Sequence, residues 1–109
     1  MRNVVTHWKF QRYTAIAIIP LSVWLVYSIL CMKDYSFQQT YSWFSSPFNA
    51  FFVILFFISS FLHLKLGLQI VVEDYIHNVK YRNLTILLIN ISCYIFASVA
   101  ILAILSMLF

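Results

Sequence analysis

Residues Ser60–Tyr75 read SFLHLKLGLQIVVEDY. The stretch begins like the closing turns of a membrane-spanning helix. It then sets a histidine, a lysine and two carboxylates where hydrocarbon should give way to water. His63 lies inside the apolar run, and the triplet Glu73-Asp74-Tyr75 follows 10 to 12 residues later. What holds an imidazole at the first position, and what the triplet does at the second, are the functional questions.

The rest of the chain identifies the solvent. Of 109 residues, 63% are hydrophobic, 19% aromatic and only 9% charged. A globular domain of this size needs far more charged surface, so the composition points to an all-α membrane protein. It leaves no room for a soluble catalytic core. Alone, the chain is not expected to be an enzyme, and demanding chemistry has to come from a cofactor or from partners. No nucleic-acid partner is expected. Cys31 and Cys93 have neither CxxC nor Cys/His ligand spacing, which argues against a disulfide framework or a metal site built from them.

Working outward, residues 1–109 form one membrane-embedded domain with three expected transmembrane helices. The first covers about 13–32, close to the 20 residues that cross roughly 30 Å of hydrocarbon. Pro20 lies inside it and predicts a kink. Residues 33–46 are polar and aromatic, with Tyr41 and Trp43 suited to the interface. Ser46-Pro47 then reads as a helix start, a hydroxyl cap followed by proline at the first helical position. The second span covers about 48–72 and ends in the acidic triplet. Residues 73–83, EDYIHNVKYRN, read as a loop, and the third span covers about 84–107.

Orientation follows from the basic residues. Arg2, Lys9 and Arg12 precede or open the first span, and Lys80 and Arg82 lie in the second loop on the same side. The opposite side has Lys33 beside Asp34. The N-terminus and second loop are therefore expected on the cytoplasmic or matrix face. Nothing before Arg12 reads as a transit peptide or cleavable signal. With Met1 retained, the expectation is a gene expressed where its product is used, bacterial or organellar. The abundance of Phe, Ile, Tyr and Asn leans toward an AT-rich mitochondrial genome and a multi-pass place in the mitochondrial inner membrane. The alternative is a bacterial cytoplasmic membrane.

An ionisable side chain within the membrane is costly and usually faces the bundle interior with a partner. His63 has two readings. It is a neutral imidazole bonded to a neighbouring helix, with Ser59 as a local partner, or it is an axial ligand to a b-type haem. Gly67, the sole glycine, lies four residues on and on the same face, leaving room for a flat macrocycle or for a closely packed helix. His7 and His77 are expected at the water-facing ends. A second axial imidazole would then come from another polypeptide, making this chain part of a heteromeric helix bundle.

Asp74 follows His63 by 11 residues, three turns plus roughly 20° and about 16 Å along a continuous helix. Tyr75 reads as an interfacial belt residue or as a hydrogen-bond donor to a quinone carbonyl. Asp74 either marks the helix end or pairs with a buried Arg or Lys and helps conduct protons. Glu73, about 100° away, reads as a solvated charge. Arg12 suits a snorkelling cation. A channel or transporter would need polar residues along all three spans, and Asn90 with scattered Ser and Thr is too little.

Residues 63–77, HLKLGLQIVVEDYIH, resemble the His-x-x-x-Gly-(six residues)-Asp-Tyr element of the small, D-type membrane anchor of succinate dehydrogenase, respiratory complex II. Residues 7–16, HWKFQRYTAI, resemble that family's opening, in which His-Trp and Arg-x-Thr-Ala precede the first span. The resemblance implies that His63 ligates haem b, with the other ligand from the C-type anchor. It implies that Tyr75 hydrogen-bonds ubiquinone with Asp74 beside it, and that Arg12 lies near the haem propionates. The implied partners are the C-type anchor, the iron–sulfur subunit, the flavoprotein subunit and the lipid bilayer. The alternative is a purely structural anchor that binds neither haem nor quinone.

Overall fold

The computed structural model describes residues 4–109; Met1 and Arg2, used above, lie outside them. Four helices follow one another: α1 (Val4–Cys31), α2 (Phe37–Ser45), α3 (Pro47–Tyr75) and α4 (Val79–Leu108). No strand occurs among the described residues. The three spans expected from sequence lie in α1, α3 and α4, except that α1 stops one residue short of Met32. These helices contain 28, 29 and 30 residues, so each is about 42–45 Å long and overruns a hydrocarbon slab of roughly 30 Å.

Two expected boundary features change, and a short helix is added. The loop expected over 73–83 shrinks to Ile76–Asn78, because Asn78 caps α4: its Oδ1 accepts from the backbone N–H of Lys80 at 3.0 Å and of Tyr81 at 3.2 Å. The connection 33–46 contains α2, opened by a reciprocal capping box. The Gln39 N–H donates to Ser36 Oγ at 3.2 Å, and the Ser36 N–H donates to Gln39 Oε1 at 2.8 Å. Pro47 does stand at the start of α3, but the Ser46 hydroxyl makes no cap bond; extended backbone and the proline ring set that boundary. Helix α1 runs through Pro20 without a break.

Helix α3 is the centre of the bundle. It packs against both α1 and α4, which do not pack against each other. The buried residues of α1 are His7, Thr14, Leu21 and Ser28. They are spaced by seven, the repeat that keeps one seam turned toward one neighbour. His7 is thus buried rather than water-facing as expected, because α1 continues well before Tyr13 and carries its seam with it. His77 is exposed.

The tightest packing lies at the end distant from His63. Ala50, Val53 and Ile104 form a core flanked by Trp24 and Leu25 of α1 and by Trp43 and Phe44 of α2. The Trp24 and Trp43 rings stack with centroids 5.6 Å apart. Ser45 Oγ donates to the Met107 carbonyl at 2.8 Å, tying α2 to the last turns of α4. Since α1 and α4 both run antiparallel to α3, Lys9, Arg12, Lys80 and Arg82 share one end of the bundle with Glu73, Asp74 and Tyr75.

Candidate functional site

His63 sits a little past the middle of α3 and turns its ring toward α1. Its Nδ1 lies 3.1 Å from Thr14 Oγ1. The same oxygen is 2.9 Å from the Phe10 carbonyl and 3.0 Å from the Gln11 carbonyl, within its own helix. The other ring nitrogen, Nε2, has no hydrogen bond among the described residues. The imidazole therefore does bond a neighbouring helix, but the partner is Thr14 rather than Ser59. Position 59 is about 40° from His63 on the helix wheel, and its side chain is buried elsewhere in the packing.

Gly67 continues the same face, and there the structure decides between packing and open space. A Cβ at Gly67 would meet Gln11 Nε2 at 3.4 Å. The space left by the missing side chain is taken by α1. Gln11 Oε1 is buried and has no hydrogen-bond partner among the described residues. Gly67→Ala should be tolerated, with the yield of protein in mild detergent within about twofold of the parent, since an amide tip gives way easily. Gly67→Leu should part α1 from α3 and reduce that yield severely. Equal yields for both would show that the close approach is unimportant.

The triplet ends α3. The helix is unbroken from His63 to Tyr75, so the alignment expected for Asp74 holds. Tyr75 is 79% exposed. Asp74 is exposed and forms no ion pair with Arg or Lys among the described residues. Glu73 is half-buried and accepts from Gln69 Nε2 at 3.0 Å, so it is held rather than freely solvated. Arg12 is exposed, its guanidinium 5.2 Å over the Trp8 ring and about 200° around α1 from Thr14. The structure thus joins His63 to Thr14, Gln11 and Gly67, and leaves Arg12, Asp74 and Tyr75 open to whatever lies outside the chain.

Two pairings were not evident in the sequence. Thr14 belongs to a polar run, His7-Gln11-Thr14, at helical spacing in an apolar helix, and that spacing is the signal that marks it. Lys65, on the other side of α3, donates to Tyr94 Oη at 3.0 Å and lies 5.0 Å over its ring. An ammonium within the span is thereby paired with a phenol of α4, which the sequence separation of 29 residues concealed. No group of three or more His, Cys, Asp or Glu side chains able to hold a metal ion occurs among the described residues.

Comparison with known proteins agrees with this architecture. A family model described as "Succinate dehydrogenase/Fumarate reductase transmembrane subunit" matches residues 2–106. The succinate dehydrogenase hydrophobic membrane anchor subunit of Rickettsia conorii is 35% identical over 88 residues, 80% of this chain and 70% of that protein. The Rickettsia bellii protein of the same name is 35% identical over 85 residues, 78% of this chain and 68% of its own length. The succinate dehydrogenase membrane anchor subunit of Reclinomonas americana is 26% identical over 88 residues, 78% of this chain and 73% of that protein. With three apolar helices, a matching family model over almost its full length and these anchors as relatives, the chain belongs to the succinate dehydrogenase/fumarate reductase transmembrane subunit family, among its succinate dehydrogenase membrane anchors.

Proposed function

We propose that this chain is the D-type anchor of a succinate:ubiquinone oxidoreductase. In this reading its basic end helps dock the flavoprotein and iron–sulfur subunits, and His63 supplies one axial ligand to a haem b shared with the C-type anchor. Tyr75 and Asp74 contribute to the ubiquinone-reduction pocket. The observation that carries the proposal is the unbroken course of α3 from an in-membrane imidazole to a phenol at the basic end. Twelve residues separate them, about 18 Å along the axis, which puts a quinone at Tyr75 within a short electron-transfer step of a centre at His63.

The donor set fits the haem. One ring nitrogen of His63 is engaged by Thr14 and the other has no hydrogen-bonding partner among the described residues, which suits an axial ligand. The second axial group has to come from the partner anchor. When bound, the haem supplies a one-electron centre beside the quinone pocket. Arg12 is proposed as a propionate partner on the outer side of α1, where its guanidinium is open to a neighbour.

The exposure of Tyr75 makes the quinone pocket interfacial: this chain offers a phenol, and partner subunits supply the walls. The phenol is a hydrogen-bond donor suited to a quinone carbonyl. The exposed Asp74 carboxylate beside it can carry protons between pocket and water. In this reading the chain belongs to the mitochondrial inner membrane, toward which its Phe-, Ile-, Tyr- and Asn-rich composition leans, and the basic end supports an N-terminus in the matrix; a bacterial cytoplasmic membrane in the same orientation is the alternative.

Tyr75→Phe in the assembled complex tests the pocket. The expected result is a KM for ubiquinone raised about 10-fold, the loss of one hydrogen bond of ordinary strength. Succinate-driven reduction of a soluble dye should be unchanged. Unchanged ubiquinone kinetics would favour an anchor that only tethers the soluble subunits.

A further inference from the structure

The proton between His63 and Thr14 can be located from three distances. Thr14 Oγ1 lies 2.9 Å from one backbone carbonyl, 3.0 Å from a second and 3.1 Å from His63 Nδ1. A hydroxyl has one proton to give and lone pairs to receive. If that proton were directed at Nδ1, two carbonyl oxygens would face the Thr14 oxygen at hydrogen-bond distance with no hydrogen between them. The stable arrangement directs the hydroxyl at the carbonyls, the usual back-bonding of threonine in a helix. Thr14 is then the acceptor, and Nδ1 must carry the hydrogen.

We propose that Thr14 is the positioning residue of His63, accepting the Nδ1–H so that the imidazole is held as the tautomer with its lone pair on Nε2. The inference rests on the reading of His63 as a haem ligand and adds what orients it. Thr14 is suited to this task. It is buried on the seven-residue seam of α1, so it is carried by the packing of that helix on α3. Its hydroxyl is itself fixed by the helix backbone, so the acceptor points one way. A buried N–H given an acceptor also makes the imidazole a stronger electron donor through Nε2, as hydrogen bonds behind ligating histidines do.

The test compares Thr14→Val, which keeps the β-branched shape and removes the acceptor, with Thr14→Ser, which keeps the hydroxyl, and with His63→Ala. Each is made in the complete complex. The readouts are the rate of haem transfer to apomyoglobin and the haem midpoint potential. With Thr14→Val, haem release is expected to speed up about 10-fold or more. The potential should rise, because a weaker axial donor stabilises the oxidised iron less. Thr14→Ser should restore both.

Parent-like release and potential in Thr14→Val would overturn the inference, as would a Thr14→Ser variant no better than Thr14→Val. Should Thr14→Val fail to assemble, Thr14→Ala removes the same acceptor without crowding and is judged in the same way. His63→Ala separates the two claims. Loss of haem there with a parent-like Thr14→Val overturns only the role of Thr14. A parent-like spectrum in His63→Ala overturns the ligand assignment and the positioning role together.

Discussion

Replacing His63 with alanine should leave an assembled complex without the reduced-haem α-band. The substitution removes the one imidazole carried by α3. His7 is on the α1 seam, and His77 is exposed beyond the end of α3. The fold should survive. Thr14 Oγ1 keeps its two carbonyl partners, so no buried hydroxyl is orphaned. Alanine is also a better helix former than histidine. The lost bond itself costs about 1 kcal/mol. Haem per complex, measured as the pyridine haemochrome against subunit stoichiometry, should fall by more than about 10-fold, since second-shell changes alone cost 10- to 100-fold. Full haem content in the variant would end the case for an axial ligand here.

The second large effect is on the fold itself. Val53 is 1% exposed, and with Ala50 and Ile104 it forms the core on which α1, α2, α3 and α4 converge. Val53→Asp places a carboxyl in a core of aliphatic and aromatic side chains that includes no Lys, Arg or His. An unpaired acid at such a depth costs several kcal/mol even after protonation and relaxation, a large part of the 5–15 kcal/mol that holds an ordinary domain together. The variant should fail to accumulate in membranes, as followed by immunoblot, and should not co-purify with partner subunits. Val53→Ala loses only packing and should cost about 1–2 kcal/mol, leaving assembly intact. Similar accumulation of the two variants would show that the convergence at Val53 does not hold the bundle.

The three spans were legible because hydrocarbon imposes a length and an apolar composition on any helix that crosses it. Position 47 was legible too, since proline has few places in a helix. The end of α3 and the start of α4 were harder. Residues 73–83 are polar, and polarity alone looks like a loop, whereas 73–75 close α3 and Asn78 caps α4, which begins at Val79. Helix α2 was obscured by its shortness, although Ser36 and Gln39 stood at capping-box spacing.

At the candidate site, His63 could be singled out because an imidazole is out of place at its depth, and Asp74 and Tyr75 because they follow it along one helix where the span meets water. Gly67 could be noticed, but whether its gap served a macrocycle or a helix depended on Gln11, 56 residues earlier in the sequence. Thr14 is an ordinary residue by composition. Only the antiparallel course of α1 along α3 brings it to the imidazole, and no local pattern encodes which residues of two helices lie level.

The regular spacing of His7, Thr14, Leu21 and Ser28 makes the length of α1 non-negotiable. One residue inserted between Thr14 and Leu21 would leave the distal half seated while swinging everything upstream by about 100°. The hydroxyl would sweep off the imidazole and the amide off the glycine in the same motion. Between the spans, the two short links, 32–36 and 76–78, are where an added residue changes no phase within a helix.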